Sequence, residues 1–152
     1  GKFDCIHCHT ASGRYSVKQD ETANNACLPC DAERVQNAPA HTNHKAGSTG
    51  NKCVSCHMPM TGFGFMRRSD HSMLPPAPTA TVLLQSPNAC NLCHQDRDAG
   101  WADDWVRKWR PRDYQTPLLY RTGLIDAARK RDWSRAPEML RYLTARSRDE
   151  VG

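Results

Sequence analysis

Residues 53–57 read Cys-Val-Ser-Cys-His, and the pattern recurs along the chain. Cys5-Ile6-His7-Cys8-His9 and Cys90-Asn91-Leu92-Cys93-His94 share its frame. A near-copy, Cys27-Leu28-Pro29-Cys30-Asp31, ends in aspartate where the others have histidine. All eight cysteines fall in such pairs. A disulfide scaffold has no need of this uniform spacing. Four C-x-x-C pairs also suffice for two Cys₄ zinc ribbons, but those do not call for a histidine after the second cysteine.

C-x-x-C-H is the attachment signal of c-type haem. Two thiols add across two porphyrin vinyl groups, and two intervening residues span that separation. The next histidine then points back at the iron as its proximal ligand. The expectation is four covalently attached haem c groups, on Cys5 and Cys8, Cys27 and Cys30, Cys53 and Cys56, and Cys90 and Cys93. His9, His57 and His94 are the expected proximal ligands. The chain has seven histidines, so four remain: His7, His41, His44 and His71. Four haems need four distal ligands, and the remainder matches. His7 sits inside its own motif and has to serve a neighbouring haem. Met58, Met60, Met66 and Met73 compete as distal ligands, and a methionine raises the potential relative to histidine. Position 31 leaves three readings open. Asp31 or water takes the proximal place, the ligand comes from elsewhere or from another subunit, or the natural residue is histidine.

Composition agrees with a cofactor-filled interior. Of 152 residues only 38% are hydrophobic, and the mean hydropathy is −0.76. Small cores usually need staples such as disulfides, metals or cofactors. Porphyrin burial in place of side-chain burial explains the thin apolar supply. No apolar run is long enough for a membrane span. No signal peptide is visible, and a motif begins at Cys5, so the start reads as a processed end or a missing beginning. The formal charge of +5 is mildly basic. No nucleic-acid-binding motif accompanies it, so no nucleic-acid partner is expected.

Residues 1–60 lack periodicity and read as loops and short helical turns, punctuated by Pro39, Gly47, Gly50 and Pro59. Residues 61–87 read as another irregular passage, extended around Pro75 to Pro78. Val82, Leu83 and Leu84 read as a short strand or as cofactor packing. Ser86-Pro87 looks like a helix start that carries the last cysteine pair. Trp101, Trp105 and Trp109 then form a stripe at helical spacing, read chiefly as core and alternatively as packing on a haem edge. Pro111 ends that helix. Thr116-Pro117 opens another, and Ser134 a last one with Met139, Leu140 and Leu143 facing inward. The expected fold is mostly irregular and α, a haem-packed multihaem cytochrome c fold with little strand. A tetrahaem domain over 1–98 precedes a small helical segment over 99–152.

The stretches "HTNHKAGSTGNKCVSCHMPM", "MRRSDHSMLPPAP" and "SPNACNLCHQDRDAGWADDWVRKW" resemble the multihaem cytochromes c. More narrowly, they are similar to the cytochrome c554-related tetrahaem domains that precede helical repeats. The resemblance covers about residues 1–110. It implies closely packed bis-histidine haems and electron transfer. It supports His9, His57 and His94 as proximal ligands, and His41 or His44, with His71, as distal ones. Asp31 departs from the family pattern. The expected role is a periplasmic or extracellular electron carrier, or a subunit of a conductive filament, with redox proteins or further copies of the chain as partners. The alternative is an oxidoreductase of the nitrite or hydroxylamine type, acting at an open second haem. A pure docking role for the helical tail is a third class, for which the tail is short. Covalent haem attachment takes place outside the cytoplasmic membrane, hence the location expected.

Overall fold

Short cysteine turns and proline-punctuated helices build the first half of the chain, seen in a computed structural model that describes residues 4–11 and 24–149. α1 (Cys5–Cys8) is a single turn. Asp4 caps it by accepting the His7 backbone N–H at 3.2 Å, which satisfies one of the orphan donors at a helix start. A 3₁₀ turn (Asn24–Cys27) leads into α2 (Leu28–Gln36), with proline in the first turn, where its missing N–H costs nothing. α3 (Ala38–Thr42) stops at Asn43, which takes a left-handed φ of 56°, a conformation asparagine tolerates. A second 3₁₀ turn (Thr49–Asn51) precedes α4 (Cys53–His57).

β1 (Met60–Phe63) and β2 (Met66–Ser69) then form an antiparallel hairpin, with Met60 opposite Ser69. Gly64, at a φ of +58°, holds the first place of its two-residue turn, where tight hairpins favour glycine. This corrects the irregular passage expected from residue 61. With four residues per strand and Gly62 inside one of them, the alternation is too brief to read.

α5 (Pro78–Leu84) replaces the strand considered at Val82–Leu84, with Pro78 in its first turn. The helix expected from Ser86-Pro87 does not form. The last cysteine pair lies instead on a 3₁₀ turn (Cys90–Leu92) built by asparagines. Asn88 Oδ1 accepts the Asn91 N–H at 3.1 Å, and Asn91 Nδ2 donates to the His94 and Arg97 carbonyls. These side-chain bonds compete with a continuing helix. α6 (Ala99–Trp109) starts where Asp98 accepts the Trp101 N–H at 2.7 Å, and it ends ahead of Pro111. α7 (Gln115–Arg129) begins beside Asp113, which accepts the Gln115 N–H at 2.9 Å. A 3₁₀ turn (Trp133–Arg135) precedes α8 (Ala136–Asp149).

The chain is mostly helical with little strand, as expected. It divides into two compact units, Gly1–Pro75 and Pro76–Gly152. The boundary expected after residue 98 falls inside the second unit, so Cys90 and Cys93 belong with the C-terminal helices. In that unit α5 packs on α6 and α7. Pro78, Ala80, Ala102, Val106, Leu124 and Ala127 are buried there. The face that α6 buries is thus Ala102 and Val106, and the tryptophan stripe lies beside it, with Trp105 exposed. The core reading of the stripe is corrected accordingly. Leu140 and Leu143 are also outside, at 63% and 65% exposure, rather than facing inward. α8 meets α7 through a Tyr120–Tyr142 edge-on ring pair. Among the described residues no helix is long and apolar enough to cross a membrane.

Candidate functional site

The three C-x-x-C-H turns share one local construction. In the first and last, the histidine N–H donates to the carbonyl of the leading cysteine at 2.9 Å, His9 to Cys5 and His94 to Cys90. In the third, Cys53 to His57 are all helical. One helical turn therefore carries both thiols and ends at the histidine. The near-copy leaves helical angles at Asp31, φ −118° and ψ 35°, inside α2, as the first motif does at His9. Asp31 is the fourth member of the set by its place in the motif, with a carboxylate where the others have an imidazole.

Two ring pairs connect the motif histidines to the spare ones. His9 and His71 have ring centres 6.2 Å apart at a 32° tilt. His41 and His57 have centres 6.3 Å apart and near-parallel planes, at 17°. A metal–imidazole bond is about 2 Å and the ring centre lies about 1 Å behind the nitrogen, so two imidazoles on opposite sides of one ion sit about 6 Å apart. Ordinary aromatic pairs overlap this range. What marks these two is their membership: each joins a histidine that directly follows C-x-x-C to a histidine from another segment.

The hairpin delivers His71. Asp70 N–H donates to the Pro59 carbonyl at 2.9 Å, closing the loop at the strand ends. The His71 Nδ1 lies 2.9 Å from the Ser69 carbonyl. A carbonyl only accepts, so Nδ1 carries the proton and Nε2 keeps the lone pair that ligates metal. His44 is built the same way, with Nδ1 donating to the Thr42 carbonyl at 2.7 Å. Its ring packs on Gly50, where a Cβ would stand 2.7 Å from the ring Cγ. His41 comes from the last turn of α3. His7 turns to its own cap, with Nδ1 2.9 Å from Asp4 Oδ1. His94 is the one histidine of the second unit, and its ring lies 4.9 Å from that of Trp101. The edge-packing alternative for the stripe therefore places Trp101 beside the last motif.

Cysteine placement joins two attachment points. The Cys27 thiol lies beside that of Cys53. Asn24 ties the two segments together, its Oδ1 accepting the Cys53 N–H at 2.9 Å and its Nδ2 donating to the Asn51 carbonyl at 3.0 Å. Burial, reinforced by the neighbouring Cys53, pushes the Cys27 thiol up to about 11. Burial raises Cys53 and Cys90 as well. Cys5, Cys30 and Cys93 are exposed. Among the described residues no three histidine, cysteine or acidic side chains gather into a bare metal site.

The donor set fits haem c. The thiols come in pairs on single turns, two of the three motif histidines have a second histidine ring about 6 Å away, and apolar surface lies around them. In the first unit Ala38 is the buried hydrophobic residue among those described, while Ile6, Val54, Met60, Met66 and Met73 are exposed. Three residues of this region escape a motif search. Asn24 braces Cys53, Gly50 seats His44, and the solvent-exposed Arg34 pairs with Asp31 at 2.5 Å. Only Arg34 has a sequence signal, its i,i+3 spacing from an acid on a helix. No family model, curated protein or solved structure matches the chain.

Proposed function

We propose that the chain is a tetrahaem c-type cytochrome that transfers electrons outside the cytoplasm. The observation that carries this reading is the pairing of His9 with His71 and of His57 with His41 at 6.2 and 6.3 Å. Bound haem supplies a one-electron ferric–ferrous couple. The chain's own part is to hold the iron closed from both sides. The Ser69 and Thr42 carbonyls fix the rings of His71 and His44 and leave Nε2 of each to serve as the ligand atom. Two imidazoles leave no position for substrate, which suits electron exchange. Contact between Cys27 and Cys53 brings the second and third attachment points together, favouring rapid transfer between neighbouring groups. The partners are redox proteins or further copies of the chain stacked into a filament. The periplasm or cell exterior follows from covalent attachment.

Intact mass under denaturing conditions tests this directly, because covalent haem stays with the polypeptide. Four haems above the 17.1 kDa chain are expected. In the native protein, His71→Ala and His41→Ala should each remove one low-spin bis-histidine signal. A bare polypeptide mass, or an unchanged low-spin count in both variants, would sink the proposal. The Asp31–Arg34 pair favours a second reading, an oxidoreductase of the nitrite or hydroxylamine type, whose first requirement is an iron open to ligands at that position.

A further inference from the structure

We infer that the haem at Cys27 and Cys30 is open on its Asp31 side and binds a small anion of the azide, cyanide or nitrite class there. The inference rests on the haem reading of the cysteine pairs. Three observations converge on it. Asp31 occupies the slot that the motif histidines fill, and the backbone leaves helical angles there, as it does at His9. The side chain in that slot is a hard oxygen donor, a poor replacement for imidazole. Its carboxylate is also already engaged, paired with the Arg34 guanidinium at 2.5 Å. A carboxylate held by arginine has less electron density to offer a metal, and its orientation is set by the ion pair rather than by the iron. Each of the three remaining motifs places a histidine in the same slot.

The pair also sets ligand class. Asp31 and Arg34 are about half exposed, so the face they line is reachable from solvent. Their charges cancel, so an incoming anion meets no net repulsion. Arg34 presents several N–H donors in a fixed fork, enough to keep Asp31 and still donate to the far end of a bound triatomic anion. At His9 and His57 the opposite face is met by a second histidine, and an exogenous anion has to displace it. Binding through a motif slot is therefore confined to the one group whose slot holds no histidine.

Azide titration of the ferric holoprotein, followed by electron paramagnetic resonance and optical spectra, tests the inference. The resting protein should show one high-spin haem, which azide converts to low spin at a stoichiometry of one. Asp31→His should abolish the high-spin signal and azide binding together. Arg34→Leu should keep one haem in the open state yet weaken azide roughly tenfold, the loss of one charge-assisted hydrogen bond. Wholly low-spin resting haem overturns the inference. So does a high-spin signal that Asp31→His leaves unchanged, because position 31 is then not the axial slot. Intact mass separates the two readings. Three haems overturn this inference and leave the cytochrome standing, whereas no haem overturns both.

Discussion

The two units solve the same problem with different materials. Residues 76–152 bury proline, alanine, valine and leucine from three packed helices, and they satisfy the polar groups inside with a closed network. Residues 1–75 carry three of the four cysteine pairs and six of the seven histidines, yet their described core is Ala38. The first unit is held by capping side chains, a two-strand hairpin and the Asn24 bridge. None of these buries much apolar area, and apolar burial dominates folding free energy. On the proposed haem reading, order in the first unit depends on a cofactor core, while the second unit supplies much of its own.

The sharpest way to break that comparison is to withhold the cofactor. A chain with all eight cysteines changed to serine should lose amide protection throughout 24–75 by hydrogen exchange. Protection at Ala102, Val106 and Leu124 should survive in part. Equal loss in both units would mean that the second depends on its single cysteine pair as fully as the first depends on three.

Within the second unit, Leu124→Ala should cost about 2–4 kcal/mol, the usual penalty for truncating a buried leucine. Leu140→Ala should stay within about 0.5 kcal/mol, because that side chain is mostly in water. Urea unfolding of the holoprotein measures both. Similar costs for the two would show that the outer face of α8 is covered.

Gly50→Ala probes the first unit at its most crowded point. The new methyl meets the His44 ring, which the Thr42 carbonyl holds in place. Overpacking of this kind costs about 1–3 kcal/mol, and the melting temperature should fall accordingly. An unchanged melting temperature and unchanged haem spectra would show that His44 is not fixed there.

The contrast also explains what the sequence makes legible. The proposed attachment chemistry is covalent and local, so cysteine spacing points to it without any knowledge of the fold. The His9–His71 and His41–His57 pairings are tertiary, and only the number of spare histidines hints at them. Helix starts at Asp98 and Asp113 follow local capping chemistry, whereas Ser86-Pro87 has the same appearance but loses to the Asn88 and Asn91 side-chain bonds. Inward faces are misjudged at Leu140, Leu143 and the tryptophan stripe for one physical reason. Periodicity identifies an apolar stripe but not what covers it. In α6 the packed positions are the small ones, Ala102 and Val106, which let α5 approach closely.

Apart from the near-neutral Leu140→Ala, the smallest effect expected concerns the polar network that closes the second unit. Asp103 Oδ1 accepts from the Thr79 hydroxyl at 2.5 Å and from Gln115 Nε2 at 2.8 Å, and its Oδ2 accepts from Arg107 Nε at 2.8 Å. Arg107 also donates to Thr79 Oγ1 at 2.9 Å, so the ring of bonds is complete. Burial alone would raise the Asp103 carboxyl. The hydrogen bonds from Thr79, Arg107 and Gln115 outweigh it and hold the group below its ordinary 3.8. A depressed folded value means that stability is fully present above the unfolded value and is lost as pH falls through the folded one. Arg107 is half exposed, so solvent screens its share. Asp103→Asn keeps the shape but removes the charge and one acceptor, and should cost about 1 kcal/mol at pH 7. That gap should narrow as pH drops below about 4, where the unfolded chain's carboxylate begins to take up its proton ahead of the folded one. Urea midpoints for both proteins at pH 7 and pH 3 decide it. A gap that persists undiminished at pH 3 would mean that the lost acceptor, and not the charge, sets the cost.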